Sequence, residues 1–525
     1  MLRLEATDDF KVTWGDPADA ELPWIWDEMH TPRPLTPMAQ LLGESSSWQT
    51  FGARQAVVNG YPFMERPVGG GFPAPERSER GGRTASQIWR EFYEPRVRGL
   101  FQAIRWRDYA AMSTPALAGL LDQLVDDYGR GQHYTMVPLF LLMLEANRFI
   151  EFCEEQFGDD GETLAATMLQ GVANESAEAG EGLAALAAMA AQSAELAAAI
   201  RDERYDDIER CAGGQQFMAG LTAYLDSYGW RAESWGVLDR PTWAEDPSVP
   251  LELIGRYLAD PGNSPCVAYK RAARQRAEAI VDARERLPNR VLRGRFDELL
   301  GVAETYVPVR EERAFWQLTI SGVIRLPLLE LGDRFVASGD LSEPDDASFL
   351  YVEELQALAA GTLDGAKSLV AQRRADFAYQ HTLQPPEYIG AAPPPPPPGL
   401  LNMRMDTPNP EPAGEPLPER TLKGVGASPG VVTARARVIA TLGEAGRLGQ
   451  GEVLVCRSTA APWTPLFAVA GAIVTNSGGI LSHSAIVARE YAIPCVVGTH
   501  DATDQIADGA MVTVDGRTGT VTIDG

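Results

Sequence analysis

The sequence predicts a multidomain protein in which a mainly α-helical region is followed by a small α/β domain. Before about residue 380, apolar residues recur every three or four positions, as in PALAGLLDQLVDDYGRG from Pro115. This spacing is typical of helices with one buried face. After residue 420 the apolar runs are short and β-rich, as in EVLVCR from Glu452. The change of period, with a proline-rich stretch between the two parts, indicates separate domains.

Residues 1–383 form the predicted helical region, and irregular loops with a few short strands are expected in its first 80 residues, which are rich in Trp, Pro and Gly. Further helices are predicted in GLAALAAMAAQSAELAAAIRDE from Gly182, CVAYKRAARQRAEAIVDARERL from Cys266 and EERAFWQLTISGVIRLPLLELGDRFVASG from Glu311. The glycine cluster at residues 69–71 lacks the GxxxxGK[ST] frame of a phosphate-binding loop. We therefore interpret it as an ordinary loop.

Residues 384–420 are predicted to be a linker. They read QPPEYIGAAPPPPPPGLLNMRMDTPNPEPAGEPLPER and include six consecutive prolines, Pro393 to Pro398. A polyproline segment extends by about 3.1 Å per residue, so this stretch could hold two domains well apart. The residues leave two interpretations open, namely a passive spacer and a tether for a domain that travels.

Residues 421–525 are predicted to be a compact α/β domain. Short β-rich runs begin at Ala434, Glu452, Gly471 and Cys495, and MVTVDGRTGTVTI is typical of a closing hairpin. Short helical segments, TPLFAVA and SHSAIVAREYA, lie between these runs. The mixed order of strands and helices favours a layered α/β fold.

Composition and charge exclude several classes of function. The formal net charge is -26, which argues against a nucleic-acid partner, because such binding depends on clustered Lys and Arg. The five cysteines are scattered without a CxxC pair, so no zinc or disulfide framework, and no metal site, is predicted. The most apolar run, MVPLFLLML from Met136, is too short to cross a membrane. We expect a soluble cytoplasmic protein with no membrane partner.

The stretch TNSGGILSHSAIVAREYA places His483 at a predicted strand-to-helix turn. Gly478 and Gly479 permit a sharp turn into a helix that begins near Ser482. Amides and the positive dipole end at a helix start favour an anion there, and a phosphoryl group on the imidazole would be such an anion. An imidazole that titrates near neutrality is also a suitable nucleophile. We therefore predict His483 as the catalytic residue, with Gly478, Gly479, Ser482 and Ser484 positioning the phosphate.

The sequence motifs around His483 resemble those of a known family. LKGVGASPGVVTARARVI from Leu422, TAAPWTPLFAVAGAIVTNSGGILSHSAIVAREYAIPCVVG from Thr459 and the final DGRTGTVTI are similar to the swivelling phosphohistidine domain of PEP-utilising enzymes. That family includes PEP synthase, pyruvate phosphate dikinase and rifampicin phosphotransferase. The resemblance implies that His483 carries phosphate between two sites. Where the family usually has Thr two residues before the histidine, this chain has Leu481.

The region before the linker resembles the substrate-binding region of rifampicin phosphotransferase and the histidine-bearing subunit of phenylphosphate synthase. The similarity lies in WIWDEMHTPRPLTPMAQLL from Trp24, YLDSYGWRAESWGVLDRPTWAEDP from Tyr224 and the residues after Val309. It implies a helical domain that binds the acceptor of the phosphoryl group. Arg310 and Arg313 are candidate phosphate clamps, because guanidinium groups stabilise a transferring phosphoryl group. His30 and Arg231 are further substrate-binding candidates.

The resemblance implies a subunit of a split ATP-dependent phosphotransferase, of the dikinase type with a phosphohistidine intermediate. In this interpretation a separate ATP-grasp protein binds ATP and Mg²⁺ and phosphorylates His483, and the chain is active only with that partner. The phosphoryl group then passes to a hydroxyl group of a small molecule in the helical region. Phenols, macrolide-like antibiotics, and hydroxy acids or peptides all remain open as acceptors. The alternative is a non-enzymatic phosphocarrier that passes phosphate to another protein.

Overall fold

The computed structural model describes residues 1–28, 30–65, 74–259, 265–393, 420–480 and 482–524. The described residues divide into two compact units, each assembled from separate stretches of chain. Unit 1 lies within Met1–Leu141, Trp230–Thr242 and Trp316–Pro395, and unit 2 lies within Leu142–Gly229, Trp243–Phe315 and Pro396–Gly525.

The strands and helices follow in chain order. The strands are β1 Leu2–Ala6, β2 Val12–Thr13, β3 Pro23–Trp26, β4 Gln55–Val58, β5 Tyr61–Glu65, β6 Tyr388–Gly390, β7 Thr421–Lys423, β8 Val425–Ser428, β9 Val431–Val438, β10 Val453–Cys456, β11 Ala472–Thr475, β12 Cys495–Val497, β13 Met511–Asp515 and β14 Thr520–Ile523. The helices are α1 Pro17–Ala20, α2 Pro37–Phe51, α3 Arg77–Arg80, α4 Ala85–Ile88, α5 Glu94–Arg105, α6 Thr114–Gly119, α7 Leu121–Phe157, α8 Gly161–Met168, α9 Glu175–Ala190, α10 Ala194–Arg201, α11 Gly214–Tyr228, α12 Ser248–Ala259, α13 Pro265–Arg286, α14 Arg290–Ala303, α15 Tyr306–Val323, α16 Arg325–Ser338, α17 Val352–Ala359, α18 Ala366–Gln380, α19 Thr464–Phe467, α20 His483–Tyr491 and α21 Ala502–Gln505. The helical periodicity of the sequence is therefore confirmed, and both α7 and α15 contribute residues to both units.

Unit 1 contains a mixed sheet in the order β2-β1-β4-β5-β3-β6. Strands β1 and β4 run parallel, and the other neighbours are antiparallel. The hairpin between β4 and β5 turns at Asn59 and Gly60, whose φ angles are 49° and 79°. Positive φ at both positions is the geometry that a two-residue hairpin turn requires, and Asn-Gly is the pair that adopts it most readily. Trp24 and Phe63 are fully buried in the core of this sheet.

The first 80 residues contain more regular structure than the sequence predicts. Five strands and the fifteen-residue helix α2 lie where irregular loops with a few strands are expected. The strands span only two to five residues, so none is long enough to show a convincing alternation of apolar and polar residues. Their stability comes from the shared aromatic core, which sequence periodicity does not reveal.

The predicted linker, 384–420, contains the last strand of this sheet. Strand β6 pairs antiparallel with β3, and its Ile389 is buried between the exposed Tyr388 and Gly390. The proline-rich context concealed a three-residue strand. Residues 394–419, with most of the proline run, lie outside the described residues, so the boundaries 1–383, 384–420 and 421–525 remain a prediction. The two compact units do not follow those boundaries.

Unit 2 contains a second sheet, in the order β7-β14-β13-β9-β10-β11-β12-β8. Strands β9, β10, β11 and β12 run parallel, and the flanking pairs are antiparallel. Helix α19 connects β10 with β11, and helix α20 connects β11 with β12. The predicted α/β fold, including the hairpin of β13 and β14, is confirmed.

The two faces of this sheet belong to different cores. Val453 and Val455 of β10 face a cluster formed with other strand residues. Leu454 and Cys456, which point to the opposite face, join a larger cluster that includes residues of α9, α10, α11, α12 and α20. Successive side chains of a strand alternate between faces, so β10 contributes to both cores and the sheet separates them. Helix α20 therefore lies within the larger core.

Polar contacts from α12 and α13 reach backbone carbonyls of the α/β part of unit 2. Arg256 donates hydrogen bonds to the carbonyl oxygens of Leu448 and Ala445 at 2.8 and 3.0 Å. Arg271 donates a hydrogen bond to the carbonyl oxygen of Tyr491, the last residue of α20. Charged donors form comparatively strong hydrogen bonds, so these contacts hold α20 and its surroundings against the helices of unit 2.

Two helical glycines of unit 1 provide a test of its packing. A Cβ atom added at Gly322 in α15 would lie 1.9 Å from the carbonyl oxygen of Trp230, whereas one added at Gly99 in α5 would meet nothing within 4 Å. We expect Gly322→Ala to destabilise the full chain by about 1–3 kcal/mol, the usual cost of overpacking. Gly99→Ala, the matched control, should stabilise it by about 0.5–1 kcal/mol. Denaturant unfolding measures both, and equal effects would contradict the backbone approach at Gly322.

Candidate active site

The loop before α20 brings His483 to the start of a helix. Gly478 has a φ of 119°, a conformation that favours glycine, and a Cβ there would lie 2.9 Å from Oγ of Ser482. The N–H of Ser482 donates to the carbonyl oxygen of Gly479 at 3.0 Å. Ser482 is the N-cap of α20, and its hydroxyl accepts a hydrogen bond from the N–H of Ala485. His483 is consequently the first residue of the helix.

Arg489 fixes this loop from inside the helix. Its Nη2 donates to the carbonyl oxygen of Ile480 at 2.8 Å, and its Nη1 donates to that of Ala427 in β8 at 2.9 Å. Burial lowers the pKa of Arg489 to about 10, so the guanidinium group stays charged at neutral pH. The residue therefore ties the glycine turn, helix α20 and strand β8 together.

The imidazole of His483 is buried and has a polar partner at each nitrogen. Nδ1 lies 3.4 Å from Oε2 of Glu311, and Nε2 lies 3.3 Å from Oγ1 of Thr464. The ring of Phe467 packs edge-on against the imidazole, with 6.2 Å between the ring centroids. A carboxylate oxygen only accepts hydrogen bonds, so the pairing with Glu311 favours the tautomer with hydrogen on Nδ1 and leaves the lone pair on Nε2.

Glu311 is shared by two cationic or titratable partners. Its Oε1 accepts a hydrogen bond from Nη1 of Arg310 at 2.5 Å, while Oε2 faces His483. The Glu311 side chain is only 2% exposed. Burial of an ionised carboxylate is costly unless it is paired, and Arg310 supplies that pairing. The predicted clamp Arg310 therefore lies beside the carboxylate that contacts the histidine.

Glu490 adds a second buried carboxyl group beside Glu311. It lies seven residues after His483, two turns along the same face of α20, and accepts a hydrogen bond from Nδ2 of Asn174 at 3.3 Å. Burial, together with the nearby Glu311 carboxylate, raises the pKa of Glu490 to about 8. Glu490 is therefore protonated at neutral pH, because two adjacent buried carboxylates repel each other.

The predicted phosphate-positioning residues surround the histidine in different ways. Gly478 and Gly479 form the turn, and Ser482 caps the helix. Ser484 is buried, and its hydroxyl is hydrogen-bonded to that of Thr459 at 2.8 Å. The hydroxyl that contacts the imidazole is instead that of Thr464. The roles of the four predicted residues toward a phosphoryl group remain a prediction.

The substrate-binding candidates do not all lie in one unit. Arg310 and Arg313, which is 5% exposed, belong to unit 2 with His483. His30 and Arg231 belong to unit 1. Arg231 is buried, whereas His30 is partly exposed and its Nδ1 lies 2.8 Å from Oδ1 of Asp27. Arg310 is connected to the histidine through Glu311, and the substrate-binding roles of all four residues remain a prediction.

Sequence reasoning missed Glu311, Thr464 and Glu490. One signal was available for Glu311, because the four charged residues of REER interrupt an otherwise apolar helix. Four consecutive residues span a full helical turn, so some of their charges had to face the interior. No comparable signal marks Thr464, which lies 19 residues from His483 in the chain.

Among the described residues, no group of three or more His, Cys, Asp or Glu side chains is arranged to hold a metal ion.

Comparison with protein families agrees with this geometry. Residues 448–519 match the model described as "PEP-utilising enzyme, mobile domain", and His483 lies within the match. This part of the chain therefore resembles the mobile domain of PEP-utilising enzymes. Residues 135–311 match "Rifampicin phosphotransferase fourth domain", so the mobile domain and a large part of the helical region are both recognised. The second match ends at Glu311.

Curated relatives extend the similarity over the chain. Chondramide synthase cmdD of Chondromyces crocatus is 28% identical over 99% of this chain and 14% of its own length. Rifampicin phosphotransferase of Streptomyces sviceus is 29% identical over 63% of this chain and 37% of its own length. Prodigiosin synthesizing transferase PigC of Serratia marcescens is 34% identical over 58% of this chain and 33% of its own length. The chain spans less than half the length of each, and the matches together support a phosphotransferase family. No helix in the described ranges is long and apolar enough to span a bilayer.

The raised pKa of Glu490 predicts a pH-dependent stability difference. Between about pH 4.5 and 8 the unfolded chain ionises this carboxyl while the folded chain keeps it protonated, so the free energy of unfolding falls as pH rises. Glu490→Gln removes this titration. We expect the variant to gain about 2–4 kcal/mol relative to wild type between pH 5 and pH 8. Urea unfolding at both pH values measures it, with the exposed Glu209→Gln as control. A gain that is the same at both pH values would contradict the assignment.

Proposed function

We propose that this chain is part of an ATP-dependent phosphotransferase in which His483 is the phosphorylated residue. The observation that carries the proposal is the pairing of His483 at a helix start, with Nδ1 facing Glu311 and Nε2 facing Thr464. The mobile-domain match and relatives named as phosphotransferases support it. In the proposal, an ATP-grasp protein that binds ATP and Mg²⁺ supplies the phosphoryl group, and the acceptor is a hydroxyl group of a small molecule.

Nε2 is the proposed phosphoryl-carrying atom. With hydrogen on Nδ1, the lone pair of Nε2 forms the N–P bond as the bond from phosphorus to the donor oxygen breaks. The ring then carries a positive charge, which the Glu311 carboxylate balances while it faces Nδ1. When the acceptor hydroxyl attacks phosphorus, it loses its proton to solvent water, the N–P bond breaks and the electron pair of that bond returns to Nε2. The imidazole leaves as a neutral group with its Nδ1 hydrogen in place.

Neighbouring groups suit the charge of a phosphoryl group. The start of α20 presents the positive end of the helix dipole, which stabilises anions. Thr464 supplies a hydroxyl beside Nε2. The family that this domain resembles usually has a threonine two residues before the histidine, and this chain has Leu481 at that position. Arg310 adds a cation that pairs with Glu311. We propose Glu311 as a positioning residue, since it acts through the imidazole.

The non-enzymatic phosphocarrier remains the alternative, and the acceptor distinguishes it. A carrier needs a protein acceptor and no pocket for a small molecule. Unit 1 contains a pocket whose mainly apolar lining suits a small molecule, which favours the enzyme. The two functions are best distinguished by following labelled phosphate from the chain: an enzyme passes it to a small-molecule fraction, and a phosphocarrier passes it to protein.

The first test concerns the phosphorylated residue. Incubation with radiolabelled ATP, Mg²⁺ and a cognate ATP-grasp protein should place an acid-labile, base-stable phosphate on the wild-type chain. His483→Ala should remove this label completely, because the nucleophile is lost. His500→Ala changes an exposed histidine of the same domain and should be labelled like wild type. Persistent labelling of His483→Ala would refute the proposal.

The second test concerns Glu311. In Glu311→Gln the charge that balances the imidazole ring is absent, so we expect phosphoryl transfer to slow by about tenfold or more while His483 is still labelled. Single-turnover quench experiments would follow loss of label from the phosphorylated chain to a metabolite extract. Glu490→Gln is the matched control, because an amide closely replaces a carboxyl group that is already protonated at neutral pH. Wild-type transfer by Glu311→Gln would remove Glu311 from the mechanism.

A further inference from the structure

Unit 1 contains a pocket with a cavity volume of about 150 Å³, which opens to solvent. Leu35, Phe51, Met64 and Met136 contribute apolar walls. The lining is typical of small-molecule sites, which are mainly apolar with a few placed polar groups, and a cavity of this volume can accept an aromatic ring. Neither Glu311 nor Thr464, the polar partners of His483, lines this pocket.

A histidine–carboxylate pair lies at this pocket. Nδ1 of His30 lies 2.8 Å from both carboxylate oxygens of Asp27, and both residues line the pocket. The turn that carries them is held by Thr31, whose N–H and hydroxyl both donate to the carbonyl oxygen of Asp27 at 2.9 Å. Because the carboxylate accepts, Nδ1 carries the hydrogen and Nε2 of the neutral ring is the acceptor. The pair therefore fixes the tautomer and orientation of His30.

Trp235 supplies a complementary donor beside His30. The two rings meet edge to face with 4.1 Å between their centroids, and Trp235 also lines the pocket. Its indole N–H is buried and has no hydrogen-bond partner within the part of the chain that the structure describes. Buried donors usually have a partner. An acceptor on one ring and a donor on the neighbouring ring can both be satisfied by a hydroxyl group, which both donates and accepts.

The charges of the pocket select against anions. No Lys or Arg is found among the described residues that line it, and the carboxylate of Asp27 is present. An anionic ligand would lose hydration without gaining a cationic partner. The apolar walls instead favour a neutral ring or chain.

We propose that this pocket binds a neutral, largely apolar molecule through a hydroxyl group that donates to Nε2 of His30 and accepts from the indole N–H of Trp235. Resting on the proposed function, this molecule is the class of phosphoryl acceptor: a phenol or similar lipophilic alcohol rather than a hydroxy acid.

Calorimetric titration of the full chain tests the proposal with β-naphthol, its methyl ether and β-naphthoate. β-Naphthol should bind, the ether should bind about three- to tenfold more weakly through loss of one donated hydrogen bond, and naphthoate should bind at least about tenfold more weakly. His30→Asn and Trp235→Phe should each weaken β-naphthol by about three- to tenfold. His30→Asn should leave the ether unchanged, because the ether has no hydroxyl hydrogen to donate to His30.

His500→Asn, which makes the same change outside the pocket, is the control and should bind like wild type. Thermal unfolding of each variant verifies folding. If His30→Asn fails to fold, Trp235→Phe still tests the proposal, because it removes the N–H and keeps an aromatic ring in the pocket. Absent binding of β-naphthol, equal binding of naphthol and ether, tight binding of naphthoate, or unchanged affinity in the folded pocket variants would each overturn the proposal. The titration contains neither ATP nor a partner protein. Its result is therefore independent of whether His483 is phosphorylated, and failed labelling of His483 would leave it standing.

Discussion

A buried carboxylate, Glu311, sets the constraint on which the active-site geometry depends. An ionised group at this depth must be neutralised, and Arg310 and His483 occupy its two oxygens. Burial, together with the same charge, raises the pKa of Glu490 and keeps it protonated. Helix α15 is thereby linked electrostatically to α20 at both ends of one helical face. Any change in the charge of His483 alters its electrostatic interaction with this carboxylate. The charge state of the histidine and the packing of α20 are therefore coupled.

Helix α20 also explains why the observed arrangement is a well-defined position for the mobile domain. Every residue of this nine-residue helix is buried, and its apolar side chains share a core with α9 to α12. Arg256 and Arg271 add hydrogen bonds to backbone carbonyls. A mobile domain that leaves this position would expose apolar surface and uncover the Glu311 carboxylate. If His483 carries phosphate to a second site, as proposed, the domain needs compensating contacts there, and tether length alone does not supply them.

The sequence predicted the parts of the protein whose signals are local. The strands and helices after residue 420 have clear periodicity, and the Gly478-Gly479 turn identified the place of His483. Glu311 and Thr464 could not be found in this way, because their contacts with the histidine join residues 172 and 19 positions apart. The sheet of unit 1 was hidden for a related reason. Its strands are short, and β6 comes more than 300 residues after its partner β3.

The two sites differ in their electrostatic character, and this difference bears on turnover. The histidine site combines a helix start, Arg310 and Glu311, and suits a group that is repeatedly charged and discharged. The polar groups among the described lining residues of the unit 1 pocket are neutral hydrogen-bonding groups and the Asp27 carboxylate. If a lipophilic alcohol is the acceptor, its phosphate ester is a dianion for which that lining has no cation. The ester therefore binds more weakly than the alcohol, since its charge is better solvated by water. Under the proposal, the pocket of unit 1 holds the alcohol and favours release of its phosphate ester.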